Sequence, residues 1–178
     1  MERYATGDAA AFEIVYQNLA PRIITFARRF VRDEAAAQDT AQQTFLHIHR
    51  ARGTFRPGGR VLPWALAIAR MVLRQDWRQR PRIDVVARDL GDLVDPATAV
   101  GDSNVARSIE ARQLVTLAAS HLESLSDGQR MAYELVRLEG LSHAEAAQVM
   151  GTTTMTVKLR VHRVMTGLRD LVAREGTS

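Results

Sequence analysis

Between two stretches with helical spacing the chain leaves only Gly151-Thr152-Thr153; the first opens at Ser142-His143-Ala144-Glu145 and ends at Met150, the second opens near Thr153 or Thr154 and runs to about Ala173. A break that short forces two helices to cross steeply, and the small Ala146 and Ala147 allow a close approach. This is helix-turn-helix spacing. Ser142 and Glu145 stand as a capping box, and a glycine after Met150 suits a helix C-terminus. On the second helix Val157, Val161, Val164, Leu168 and Leu171 fall on one face at about 100° per residue, which predicts that this face is buried. The opposite face carries Met155, Lys158, Leu159, His162 and Thr166, flanked by Arg160 and Arg163. Such a face can enter a major groove. Lys158 and Arg160 would meet phosphates or guanine edges, while the threonine hydroxyls and the helix N-terminus hold phosphate. An ordinary helical hairpin with a solvated face has the same pattern, although it leaves Leu159 exposed to no purpose where a thymine methyl would give it a contact.

The rest of the chain is helical by the same criterion. No segment alternates with period two, and apolar residues recur at three and four. The fold class is all-α. Asp8 is placed to cap a helix holding Phe12, Val15, Tyr16 and Leu19, and Pro21 permits a fresh start through Ile23 to Phe30. Asp33 opens a helix through about Ala51. Gly53 to Arg60 has the glycine and proline density of a loop, and Pro63 suits the first position of a helix that runs to about Arg80 and stops at Pro81. Residues 83–102 hold Asp84, Asp89, Asp92, Asp95 and Asp102 without an apolar face and read as a flexible linker. Helix formers resume from about Ser103 to Leu122, and Ser126 with Gln129 forms another capping box.

Charge divides the chain in the same places. Residues 1–82 carry 14 arginines against 7 acids, residues 83–107 carry 2 against 5, and residues 108–178 carry 8 basic against 8 acidic side chains. Two small helical domains, 1–82 and 108–178, joined by an acidic linker at 83–107, follow from this division. The basic first domain should meet a polyanion. All basic residues but Lys158 are arginines, which favours bidentate contacts to phosphate and guanine, although a GC-rich genome gives the same bias. With no cysteine, disulfides, thiol catalysis and every Cys-containing zinc site are excluded. The longest apolar run, near Ala65 to Ala69, is too short for a bilayer span, and Glu2, Arg3 and Asp8 interrupt what a secretory signal would need. A cytoplasmic protein without membrane insertion is expected.

In the first domain Arg70, Arg74 and Arg78 recur every four residues with Trp77 beside them. Cations along a backbone with an indole for stacking suit single-stranded or melted nucleic acid, and a solvated arginine face with a half-buried Trp77 suits the pattern equally. Asp39, Gln42, Gln43, Thr44 and Phe45 make a polar patch around one aromatic, an interaction surface of unspecified partner.

These residues resemble a known set. Asp39-Thr40-Ala41-Gln42-Gln43-Thr44-Phe45-Leu46 resembles the Asp-Leu-x-Gln-Glu-Thr-Phe-Leu signature in region two of bacterial sigma factors, and Pro63-Trp64-Ala65-Leu66-Ala67-Ile68-Ala69-Arg70 resembles the Trp-Leu-x-x-Ile-Ala-Arg segment that follows it. Gly140-Leu141-Ser142-His143-Ala144-Glu145-Ala146-Ala147, Gly151, and Thr156 to Arg163 are similar to region four. A region two joined directly to a region four is the layout of the extracytoplasmic-function group of alternative sigma factors. The resemblance implies that Asp39, Gln42, Gln43, Thr44 and Phe45 dock on core RNA polymerase. It implies that Phe55, Arg56, Arg60, Trp64, Arg70, Arg74, Trp77 and Arg78 open and read the minus-ten element of promoter DNA. Thr153, Thr154, Thr156, Lys158, Leu159, Arg160, His162 and Arg163 would read the minus-thirty-five element. An anti-sigma factor is the implied restraint, with no cofactor, metal or small-molecule substrate. Departures from the pattern fall at Gln38 and Gln43, where acids are usual, at Thr40 for leucine, at Met71 for asparagine, and at Thr153, Met155 and Leu159 for proline, glycine and serine.

Rival functions fare worse. None of His47, His49, His121, His143 and His162 has metal-ligand spacing with a carboxylate, and no glycine-rich phosphate loop follows a strand, so an enzyme is not expected. A helix-turn-helix regulator with a ligand-sensing N-terminal domain would need a pocket that residues 1–82 do not announce. A sigma-mimicking adaptor would need a phospho-acceptor domain of α/β type.

Overall fold

The computed structural model describes residues 1–31, 33–79, 115–122 and 124–175, with residues 76–79 and 175 described by their backbone alone. Among the described residues every regular element is helical. They are α1 (Glu2–Ala5), α2 (Ala11–Arg28), α3 (Glu34–Ala51) with a 3-10 turn at Arg52–Thr54, and α4 (Val61–Gln79). A helical stretch at 115–122, α5, precedes α6 (Asp127–Tyr133), which passes into a π turn at Glu134–Leu138. Then come α7 (His143–Met150) and α8 (Thr154–Glu175). The expected linker at 83–107 and the stop at Pro81 lie outside the described residues.

The elements gather into two compact units. One holds α1 to α4 together with α7; the other holds α5, α6 and α8 from Met155 onward.

In the first unit the stripe Val15, Leu19, Ile23 and Phe26 of α2 faces Ala37, Ala41, Phe45 and Ile48 of α3 and Ala65, Leu66, Ala69 and Leu73 of α4, all buried. Each large side chain removed from water here contributes about 1.5–3 kcal/mol. That burial explains why α2 runs unbroken through Pro21 instead of restarting there. An interior proline costs about 3 kcal/mol or more. Pro21 lies on the exposed side of the helix, while Ile23 and Phe26 just beyond it are fully buried. Asp8 does act at the start of α2, accepting from the amides of Ala10 (3.0 Å) and Ala11 (3.3 Å), although Ala10 holds the capping position. Asp33 caps α3 through the Ala36 amide at 2.7 Å. Arg28 forks onto Glu34 at 2.6 and 2.7 Å across the turn between α2 and α3, and this guanidinium, helped by Gln38, holds the Glu34 carboxyl below its ordinary range. Helix α4 begins at Val61, two residues before Pro63, which is tolerated because first-turn amides have no partner within a helix.

Both capping boxes form. Ser126 and Gln129 exchange bonds at the start of α6, as do Ser142 and Glu145 at α7, and Gly151 closes α7 in the left-handed conformation at φ 60°. In the second unit Val157, Val161 and Val164 of α8 are buried with Met131, Ala132 and Leu135. A side chain on Gly167 would collide with the ring of His121.

A hydroxyl in the first unit is out of place. The Thr40 hydroxyl is buried in α3 with no hydrogen-bond partner, whereas Thr44 beside it donates to the Thr40 carbonyl at 2.7 Å. A buried unsatisfied hydroxyl costs about 1–3 kcal/mol. Thr40→Val, which keeps the shape and removes the hydroxyl, should therefore raise stability by on the order of 1 kcal/mol in a denaturant titration. Ser142→Ala should lower it by about 1 kcal/mol through loss of the α7 cap, measured in the same way.

Candidate nucleic-acid interface

Three surfaces carry the residues singled out from the sequence. On α3, Asp39, Gln42 and Gln43 point to solvent. Thr44 and Phe45 do not, which corrects their expected place on the docking patch. Thr44 is 0% exposed and Phe45 6%, because both fall on the stripe with Ala37, Ala41 and Ile48 that α2 and α4 cover. The aromatic surface comes instead from Tyr16 of α2, 43% exposed, whose ring lies 4.7 Å from that of Phe45. The sequence placed Tyr16 on the same helix as Val15 and Leu19 without giving it a role. Its offset of one from the Val15 and Leu19 stripe was the signal that it sits at the edge. Ile14 and Leu46 add exposed apolar area on the same two helices.

The second surface is the loop 55–60 with α4. Phe55 is buried, its ring edge-on to Trp64 at 5.4 Å, so it supports the base of the loop. Trp64 is half-buried, and Arg56 and Arg74 are exposed. Arg60 pairs with Glu145 of α7 at 2.5 Å, and the Arg70 guanidinium donates to the Val149 carbonyl at 3.3 Å. Between these partners runs an open groove of about 370 Å³, lined by Phe55, Arg60, Trp64 and Ala67 on one side and Glu145, Gln148 and Val149 on the other. The Glu145 carboxyl is held below its ordinary range, first by the capping bonds at Ser142 and then by Arg60. It is therefore ionised at neutral pH, and its stabilising contribution is lost as acid protonates it. The side chains of Trp77 and Arg78 lie outside the described residues.

The third surface is α8 in the second unit. Met155 is 73% exposed and Leu159 46%, and Lys158, His162 and Arg163 are exposed with them. Thr153 and Thr154 are exposed ahead of them, and Thr156 is partly covered. Arg160 departs from expectation. Its guanidinium lies over Gly128 in the first turn of α6, so close that a Cβ there would sit 2.9 Å from its central carbon. That contact draws Arg160 toward its own domain and away from the face shared by Lys158 and His162.

No group of three or more His, Asp or Glu able to hold a metal occurs among the described residues, and no helix among them is long and apolar enough to cross a membrane.

Comparison with known proteins gives the family. A family profile described as Sigma-70 region 2 matches residues 15–83, and one described as Sigma-70, region 4 matches residues 120–166. The chain is 34% identical over 172 residues to the RNA polymerase sigma factor CarQ of Myxococcus xanthus, covering 97% of this chain and 95% of that protein. It is 28% identical to the ECF RNA polymerase sigma factor SigK of Mycobacterium ulcerans, covering 96% and 90%. The fold is shared with the sigma factor RpoE of Bartonella quintana, solved in complex with the anti-sigma factor NepR, at a TM-score of 0.66 and 23% identity over 91% of this chain and 96% of that one. With a region 2 profile on α2 to α4, a region 4 profile from α5 into α8, and relatives matched along nearly their whole length, the chain belongs to the sigma-70 family as an RNA polymerase sigma factor of the extracytoplasmic-function type.

Proposed function

We propose that this chain docks on core RNA polymerase through the outer face of α3, centred on Asp39, Gln42 and Gln43, with Tyr16 at its edge. Loop 55–60 and the basic edge of α4 then meet the minus-ten element, and the exposed face of α8 meets the minus-thirty-five element. The observation that carries this reading is the division of α8: Val157, Val161 and Val164 are sealed inside, while Lys158, Leu159 and His162 stand outside on the same helix. A helix so divided has its fold satisfied by one face and leaves the other free for a groove.

The functional domains in this reading are residues 1–82 and 108–178 with 83–107 as their linker, which accords with the two profile matches. Because α7 engages Arg60 and Arg70, promoter contact by these two arginines requires α7 to move off α4. An anti-sigma factor is the proposed restraint, as RpoE of Bartonella quintana is held by NepR. The chain acts without catalysis of its own, in the cytoplasm, where polymerase and promoters are.

Replacing Asp39 and Gln42 together by alanine should abolish comigration with core polymerase in a native gel while leaving the helical circular dichroism intact. Undiminished affinity would contradict the docking surface.

Lys158 and His162 share the centre of the exposed face and Arg163 its edge, and base contacts specify where phosphate contacts position. Lys158→Ala should cost about 1–3 kcal/mol at one promoter position and relax preference there, whereas Arg163→Ala should weaken all promoters alike and reduce the salt slope by roughly one unit. Transcription from a library randomised through the minus-thirty-five element separates the two profiles. Identical profiles would show that α8 is oriented differently on DNA.

A further inference from the structure

The tip of loop 55–60 is a tight turn. The Gly59 amide donates to the Arg56 carbonyl at 3.0 Å, Pro57 fixes the second position, and Gly58 occupies the third with φ +74°. Proline followed by a positive-φ glycine defines a type II turn. Gly59 is equally constrained, since a Cβ there would stand 2.9 Å from the Arg56 carbonyl oxygen. Such a turn leaves the amide of its third residue without a partner inside the turn. Here that amide, on Gly58, donates to the carboxylate of Glu2 at 2.6 Å, across 56 residues of sequence.

Glu2 is not a stray side chain, because the helical turn that carries it is pinned at both ends. Tyr4 is buried at 3% exposure and packs its ring 5.3 Å from that of Phe12. Its hydroxyl is 2.6 Å from Nδ1 of His49, near the end of α3. Burial raises the Tyr4 phenol above its ordinary pKa, so the hydroxyl keeps its proton at neutral pH. One residue before it, Arg3 pairs with Asp8 at 2.6 Å, and Asp8 in turn holds the first amides of α2. The backbone of α1 is thereby tied to α3 on one side and α2 on the other. Its carboxylate arrives at Gly58 from a fixed point, with the added strength that an ionised acceptor gives a hydrogen bond.

We propose that α1 is a clamp on the minus-ten loop and that Glu2 is a positioning residue for minus-ten recognition, holding the Arg56 to Gly59 turn in one conformation so that Arg56 and its neighbours are presented to the promoter already ordered. The proposal rests on the reading that loop 55–60 meets the minus-ten element. A loop with two consecutive glycines gains most from such a tie, because their backbone freedom is the largest entropy to be lost on binding.

The test uses the full chain reconstituted with core polymerase and a promoter selected by that holoenzyme from genomic DNA, randomised through the minus-ten element in one library and through the minus-thirty-five element in another. Glu2→Ala should lower transcription on the order of five-fold and flatten base preference in the minus-ten library, with minus-thirty-five preference and core affinity unchanged. Glu2→Gln, which retains a neutral acceptor, should lie between wild type and Glu2→Ala. Tyr4→Phe, which keeps the packing and loses the bond to His49, should move the same profile in the same direction by less, and it serves if Glu2→Ala does not fold. If Arg56→Ala alters minus-ten preference and the Glu2 and Tyr4 variants do not, the loop reads the promoter without the clamp and the proposal fails alone. Should none of these variants alter that preference, the loop is no reader and both fall. A uniform loss on both libraries that follows a lowered melting temperature would assign Glu2 to stability and overturn the proposal.

Discussion

Helix α4 carries apolar side chains around more of its circumference than one neighbouring helix can cover. Leu66 and Leu73 are fully buried, Ala65 and Ala69 likewise, and Pro63 and Val72 nearly so. A helix of this kind must sit inside a group of others. It does so in the first unit, where α2, α3 and α7 all lie against it. That covering leaves only a narrow strip of α4 for other work. Trp64, Arg70 and Arg74 border it, and loop 55–60 leads into it. Apart from the buried Phe55, the residues read as promoter contacts are those the core leaves at its border, and their positions follow from how the core is closed.

The same closure explains what was and was not legible in the sequence. Caps were legible because they are local: Asp33, Ser126, Ser142 and Gly151 each settle a helix end through partners within four residues. The inner face of α8 was legible because a valine or leucine every three or four residues leaves one choice of side. Thr44 and Phe45 were not, because the signature that carries them spans both faces of α3, and only the packing of α2 and α4 says which members turn inward. Pro21 was misread for a related reason. A local rule against proline in helices was outweighed by nonlocal burial of Ile23 and Phe26. Arg160 needed the third dimension as well, since nothing in the order of residues announces that Gly128, 32 positions earlier, leaves room for its guanidinium.

Arginine richness in the first domain is a weaker guide to nucleic acid than its count implies. Arg3, Arg28 and Arg60 pair with acids at 2.5–2.6 Å, and Arg70 donates to a backbone carbonyl. Exposed pairs of this kind contribute little to stability, about 0–1 kcal/mol where measured in other proteins, and they exchange partners readily. This property suits Arg60. Its single Nη1–Oε1 bond to Glu145 is cheap to break, and a phosphate can take the guanidinium fork through two bonds with more charge. Glu145 loses little in return, because the cap at Ser142 holds its carboxylate whether or not Arg60 stays. Such an exchange would free an arginine without unmaking a helix.

A turn proposed to meet DNA faces opposing demands. It must be exposed, which strips away apolar contacts, and it must be ordered, which apolar contacts normally provide. In this chain the two are separated in space. Phe55 is buried against Trp64 at the base of the loop, so hydrophobic burial fixes where the loop starts, while at the tip the order comes from backbone geometry, with Pro57 and Gly58 setting the turn and the Gly58 amide tied to Glu2. Hydrogen bonds and restricted dihedrals cost no exposed apolar area. They can hold Arg56 in open solvent where a hydrophobic contact would have had to cover it.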